Sequence, residues 1–419
     1  MRLLIISRTA WDVSGSFGNT FDNLFGGMDD VEVYNICCQS GILNSSHVRS
    51  AYQMTDFSVL YSLFGKRPGA LMDFTEQNSS QPPQTFAPRK RRTIYFMVRD
   101  LMWTLGRWFN SDIQDFINTI NPDIIYLPIY SSWYMCDVQR KIIEYCNVPC
   151  VGHITDDVYS YPPQKWSQPL ACFYRFILRR KIRSLVKKVK YVEVFADNMA
   201  NEYSRIFNKP FFVIGKGINV SEFNLECREI ANSCPLTIVY TGNLGGGRYR
   251  QLSRLGKAID QIIGDSAKLH IYTQTNIDDD ITKSFNGIQS IVIHGSIPAS
   301  KVYSVQSEAD FLVHVEDFSK QAIYETRMSF STKIIDYMLT GKPILAIGPS
   351  EVCSISTLIK TGSAVVATCD EEIRSAITGI ALGTFNYAEL RSNCIKYIKE
   401  KRNKKIIQEE MKNRLISLV

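Results

Sequence analysis

The sequence predicts two doubly wound α/β domains. Short apolar runs alternate with helical patterns along the chain, which is the sequence form of parallel β-α-β units. The 419 residues exceed one ordinary core and fit two domains of about 200 residues each. Residues 217–234 lack a clear period and carry Asn, Ser and Cys, so they read as a boundary between two sets of strands.

Taken in order, the first set is Leu3–Ser7, Val31–Ile36, Ile124–Ile129, Pro149–Ile154, Tyr191–Ala196 and Phe211–Gly215. The opening MRLLIIS is too short for a signal peptide and reads as the first buried strand. The second set is Leu236–Thr241, Lys268–Thr273, Ser290–His294, Phe311–Val315, Pro343–Gly348 and Ala364–Ala367. Each set suffices for its own sheet. Residues 75–92 are polar and proline-bearing, an excursion from the first domain. The expected organisation is a first domain over 1–216, a linker over 217–234, a second domain over 235–386, and a long charged helix over 387–419 that runs back to the first domain.

Composition narrows the function classes. An apolar fraction of 45% and a charged fraction of 21% describe a folded chain. A net charge of +7 suits an anionic ligand or membrane surface and does not call for nucleic acid. Eleven cysteines without a CxxC motif argue against a disulfide framework or zinc ribbon and for a reducing cytoplasm. No run of about 18 uninterrupted apolar residues predicts a membrane span.

The most informative stretch is TIVYTGNLGGGRYRQL, Thr237 to Leu252. A strand ends at its start and a helix is expected over Tyr249–Ile263, so the glycines fall at a strand-to-helix turn, where backbone amides and missing side chains favour an anion. The turn lacks the Gly-Lys-Ser/Thr ending of a P-loop and the Gly-x-Gly-x-x-Gly of a dinucleotide site. A second cluster lies in YETRMSFSTKIIDYMLTGKPILAIGP, Tyr324 to Pro349. Ile334, Ile335, Met338 and Leu339 give a helix one apolar face, with Ser331 or Thr332 as N-cap. Arg327 and Lys333 flank its start, where charge and helix dipole favour phosphate. Asp336 sits one turn in, placed to accept from sugar hydroxyls. Alternatively, Lys333 and Asp336 form an ordinary i,i+3 surface pair.

On the residues YTGNLGGGR, ADFLVHVE and FSTKIIDYMLTGKPILAIGP, and more weakly VIGKGIN and GHITDDV, the sequence resembles the GT-B glycosyltransferases of family 4, among them bacterial transferases of capsule, lipopolysaccharide and exopolysaccharide synthesis. The likeness is strongest over residues 236–367. It implies two facing Rossmann-like domains and a retaining, metal-independent sugar transfer with no cofactor beyond a UDP- or GDP-linked sugar donor. In this family the glycine turn holds the donor diphosphate, which maps to Gly242, Asn243, Gly245, Gly246 and Arg248, with Lys333 and Arg327. The second acid of the family's Glu-x7-Glu element contacts the ribose, matching Asp336. The first acid falls at Met328, leaving Glu316 or Glu325 for the donor sugar. An arginine common early in the turn is Asn243 here.

The first domain is then expected to bind the acceptor at an inter-domain cleft. GHITDDVYSYPP follows a strand and offers His153, Asp156 and Asp157 as catalytic candidates. An Asp there can instead cap a turn, and the histidine can be a core residue bonded to backbone. Gly18, in the first β-α loop, would face the diphosphate. Two basic amphipathic segments, 89–109 with two tryptophans and 173–190, predict attraction to anionic lipid. The expected acceptor is therefore a lipid-linked saccharide, and the location cytoplasmic, peripheral on the inner face of the membrane. Two other functions remain open: a nucleotide-sugar epimerase of the same architecture, and a non-catalytic nucleotide-sugar- or polysaccharide-binding partner.

Overall fold

A computed structural model describes residues 1–72, 93–160, 168–222 and 235–419. The chain forms two compact units, one of Met1–Gly217 with Lys404–Val419, the other of Ile218–Asn403. Most of the stretch expected as linker, and the whole polar excursion at 75–92, lie outside the described residues.

The first unit is built on strands β1 (Arg2–Ser7), β2 (Glu32–Cys37), β3 (Val48–Met54), β4 (Gly69–Leu71), β5 (Ile124–Pro128), β6 (Cys150–Ile154), β7 (Val192–Val194) and β8 (Phe211–Val213). They pair in the order β4-β3-β2-β1-β5-β6-β7-β8. Only β3 and β4 run antiparallel. Leu3, Leu4, Ile5 and Ile6 are fully buried, as expected of a central strand covered on both faces. The sequence reading missed β3 and β4. Arg49 and Gln53 interrupt the apolar pattern of β3, and β4 is a three-residue edge strand.

The second unit carries β9 (Leu236–Thr241), β10 (Ala267–Tyr272), β11 (Ile291–His294), β12 (Phe311–Val315), β13 (Ile344–Ile347) and β14 (Val365–Ala367), all parallel, ordered β11-β10-β9-β12-β13-β14. Strand order reverses between β9 and β12, and ligands of such sheets bind outside the carboxyl ends at that switch point. The equivalent reversal in the first unit lies between β1 and β5. Every strand expected from sequence is present, with ends moved by a residue or two.

The long C-terminal helix is instead two helices. Tyr387–Lys401 stays with the second unit, where Cys394 and Ile398 join the core of Ile335, Met338 and Leu358. Lys404–Ile416 belongs to the first unit, packing Ile407, Met411 and Leu415 beside β1 and β5. The break falls where Arg402 leaves helical geometry and its carbonyl accepts from the Ile218 amide at 2.6 Å.

The basic segments also differ from expectation. Both tryptophans, Trp103 and Trp108, are buried rather than presented at a surface. On the helix Thr93–Leu105 the exposed aliphatic residues are Ile94, Val98, Leu101 and Leu105, spaced along one face, with Tyr95 exposed beside them. In the helix Pro169–Lys188, Leu178, Ile182 and Leu185 are core, while Phe173 and Phe176 are exposed. Several of its cations are engaged within the protein: Lys181 pairs with Asp137, Lys188 with Glu144, and Arg183 donates to the Tyr159 hydroxyl.

Candidate functional site

After β9 the chain turns through Gly242 (φ 155°), Gly246 (φ 66°) and Gly247 (φ 82°) into the helix Arg248–Ile262. Gly247 is the N-cap in left-handed geometry, and a Cβ there would collide with the Asp317 carboxylate. A Cβ on Gly242 would occupy the place of the Lys333 ammonium. Both glycines are thus required by backbone angle and by close approach. Asn243 shapes the turn rather than charging it: its side-chain oxygen accepts from the Gly245 amide, and its carbonyl accepts from the Tyr240 hydroxyl at 2.7 Å. The Leu244 amide donates to Thr275 Oγ1 at 3.0 Å, tying the turn to the loop after β10. Among the described residues the amides of Gly246 and Gly247 have no acceptor.

The helix Lys333–Thr340 starts beside this turn. Its entry differs from the side-chain cap expected from sequence. Thr332 occupies the N-cap position with helical angles and no capping hydrogen bond, and the Ile334 and Ile335 amides bond to Ser331 and Thr332 carbonyls. Lys333 and Asp336, with Thr241, Gly242, Asn243, Tyr272, Thr273, Gln274, Thr275, Ser296, Ile297, Val302 and Gln306, line a cavity of about 550 Å³ at the carboxyl ends of β9, β10 and β11.

Charged groups of both signs meet at the site. Arg248 Nη2 lies 3.0 Å from Glu316 Oε2, and Glu316 is 5% exposed at the end of β12. Burial pushes the Glu316 carboxyl up, against the pull of Arg248 and Lys333. Lys333 is pushed down by burial and then by repulsion from Arg248, against the pull of Glu316 and Asp336. Buried His314, 3.6 Å from Glu316, is lowered to about 3, first by burial and then by the same two cations. Lys333, whose charge is disfavoured by burial and by Arg248 against the pull of Glu316 and Asp336, would gain a countercharge from an anion bound in this cavity.

Other residues singled out in this unit lie elsewhere. Arg327 follows the helix Lys320–Thr326, its guanidinium 4.1 Å from the Tyr324 ring centre and donating to the Tyr324 carbonyl. Glu325 is exposed on that helix and accepts from Gln321. Met328 is 1% exposed, so an acid at this position would be a buried charge. Glu316 faces Arg248 instead of open space.

In the first unit His153, Asp156 and Asp157 come together with Phe17, Phe21, Ile129, Tyr130 and Ser131 around a cavity of about 230 Å³ at the ends of β5 and β6. The two acids differ. Asp157 Oδ1 accepts from the Tyr159 and Ser160 amides at 3.0 and 2.7 Å and from the Tyr203 hydroxyl at 2.5 Å, so it holds its loop. Asp156 reaches solvent at the cavity mouth with no partner among the described residues, and the protein around it raises its carboxyl above the ordinary value by desolvation. Gly18 lies within the helix Ser16–Phe25 rather than in the loop before it and is buried, where a Cβ would strike the Asp12 backbone.

Sequence reasoning missed most of this cavity's wall, including Tyr272, Thr275, Ser296 and Gln306, and the buried Asp317 that accepts from Gln251 at 2.7 Å. The available signal was position, since Tyr272 ends β10, Thr275, Ser296 and Asp317 lie just after β10, β11 and β12, and Gln306 is on the helix after β11. Among the described residues there is no cluster of His, Cys, Asp or Glu suited to a metal, and no helix is long and apolar enough to cross a membrane.

Neither a protein-family model nor a curated relative matches the sequence. Solved structures do. Sucrose-phosphate synthase from Thermosynechococcus elongatus is 13% identical with a TM-score of 0.64, covering 100% of this chain and 99% of its own. Anabaena HepE in complex with UDP is 13% identical at a TM-score of 0.64 with both chains fully covered. The lipopolysaccharide outer core galactosyltransferase WaaB is 10% identical at 0.60, again over both full chains. With one parallel sheet and one parallel but for its β3-β4 edge, each reversing at a switch point, and this similarity along the whole chain, the protein has the GT-B fold.

Proposed function

We propose that this protein is a retaining glycosyltransferase of family 4 type that moves a sugar from a nucleotide-sugar donor to a lipid-linked saccharide acceptor in surface polysaccharide synthesis. The observation that carries the reading is the meeting of Gly242, Lys333 and Asp336 on one cavity at the β9/β12 switch point, beside Arg248 and unpartnered glycine amides. A diphosphate there offsets the repulsion between Lys333 and Arg248, while Asp336 accepts from ribose hydroxyls. Charge grows on the leaving nucleoside diphosphate as the sugar departs, and preoriented amides and cations favour that state over the ground state. On the acceptor side, Asp156 is the free carboxylate able to take the hydroxyl proton, and Asp157 supports its loop. The donor complexes of HepE with UDP and UDP-glucose support a uridine donor here.

The lipid-linked acceptor is supported by the apolar face Ile94, Val98, Leu101 and Leu105, together with Phe173 and Phe176 on the adjacent basic helix. The test of the donor reading is thermal stabilisation by a panel of UDP- and GDP-sugars. Stabilisation by one nucleotide class, lost in Lys333→Ala, supports it; no stabilisation by any member overturns it.

A further inference from the structure

A buried hydrogen-bonded chain in the first unit leads from the C-terminal helix to His153. Arg414, on the helix Lys404–Ile416, donates to Glu193 Oε1 through Nη2 at 2.8 Å and Nε at 3.3 Å. The Tyr126 hydroxyl donates to Glu193 Oε2 at 2.7 Å, and the same hydroxyl lies 3.0 Å from His153 Nδ1. Glu193 and Tyr126 are fully buried, and His153 is 2% exposed. Phe21 and Phe195 stand edge-on to the imidazole with centroids 5.3 and 5.2 Å away, fixing the ring plane. His153 Nε2 has no partner.

Burial pushes the Glu193 carboxyl up and Arg414 pulls it down; with Glu193 ionised in this pair, proton counting along the chain fixes the histidine. Arg414 can only donate, so Oε1 of Glu193 accepts. The one phenolic proton of Tyr126 goes to Oε2, which leaves its oxygen as acceptor toward His153. Nδ1 must then carry the ring proton, and Nε2 is a lone pair. A buried lone pair without a donor is costly, so this arrangement calls for a donor from outside the network. His153 lines the adjoining cavity together with Ser131 and Asp156. Burial also lowers the imidazole to about 3, which keeps it neutral and excludes it as a countercharge for phosphate.

We infer that Arg414, Glu193 and Tyr126 are positioning residues that hold His153 in the Nδ1–H tautomer, so that Nε2 accepts a hydrogen bond from a substrate hydroxyl. The hydroxyl's role in transfer rests on the proposed function; the tautomer does not. The C-terminal helix thereby sets the hydrogen-bonding polarity of a residue far from it in sequence.

Glu193→Gln tests this because it should invert the chain. The Gln carbonyl must face Arg414, so its amide faces Tyr126 and donates to it. Tyr126 then donates to Nδ1, and the ring proton moves to Nε2. In the full-length protein with ¹⁵N-labelled histidine, nitrogen NMR should report Nε2 unprotonated in the wild type and protonated in Glu193→Gln. Turnover should fall roughly tenfold, the worth of one hydrogen bond, with donor KM unchanged. Tyr126→Phe, which breaks the chain without inverting it, should give mixed tautomers and serves if Glu193→Gln does not fold. A protonated Nε2 in the wild type, or a tautomer unmoved by either variant, overturns the inference. A tautomer that inverts with undiminished turnover overturns the hydroxyl contact. Absence of transferase activity in the wild type refutes the proposed function, while the NMR result still decides the tautomer.

Discussion

Lys333→Ala separates the two roles that a buried lysine can have. In the free protein the ammonium stands beside Gly242 and 5.8 Å from the Tyr240 ring centre, where burial and Arg248 disfavour its charge more than Glu316 and Asp336 favour it. Removing it therefore relieves repulsion, and the melting temperature should hold or rise. Donor binding should respond in the opposite direction. A charge-assisted hydrogen bond to phosphate contributes about 1.5–3 kcal/mol. At about 1.4 kcal/mol per tenfold, the dissociation constant of a nucleoside diphosphate should rise roughly 10- to 100-fold. Titration calorimetry reads the affinity and a thermal melt reads the stability. A clear drop in melting temperature with unchanged affinity would show that Lys333 is structural and refute the reasoning.

Four further outcomes are expected. Gly247→Ala should destabilise the second unit by about 1–3 kcal/mol in denaturant melts, because a side chain at φ 82° is strained and meets Asp317. Asp156→Asn should depress turnover without changing the melting temperature, whereas Asp157→Asn should lower the melting temperature, since only Asp157 holds two loop amides and the Tyr203 hydroxyl. His314 is lowered from 6.5 to about 3, so the unfolded chain binds more protons over that window; stability contributed there is intact above pH 6.5 and lost as pH falls toward 3, and His314→Gln should reduce this acid sensitivity. Val98→Glu with Leu101→Glu should weaken co-sedimentation with anionic vesicles while leaving nucleotide affinity unchanged; undiminished sedimentation would remove this face from lipid contact.

The strands were legible because parallel strands covered on both faces leave near-continuous apolar runs, as in Leu3–Ile6. β3 and β4 were not, because Arg49 and Gln53 interrupt the apolar run of β3, and β4 is a three-residue edge strand. The glycine turn, Lys333 and Asp336 could be read from residue type and position. The pairing of Arg248 with Glu316 could not, since it joins the ends of β9 and β12 across 68 residues. The tryptophans misled for a related reason. An amphipathic pattern tells which residues share a helix face, but the packing partners decide which face is covered, and here Trp103 stacks on Tyr134 and donates to Asp56. Likewise a pair of adjacent acids does not reveal that one of them is taken by backbone amides.

The central claim is donor-dependent sugar transfer, and nucleoside diphosphate release tests it most directly. With the donor that stabilises the protein, release should be slow alone and accelerate when lipid-linked saccharide is added, with the product bearing the donor's anomeric configuration. Release that is independent of acceptor, or conversion of the free donor to an epimer, would contradict the account.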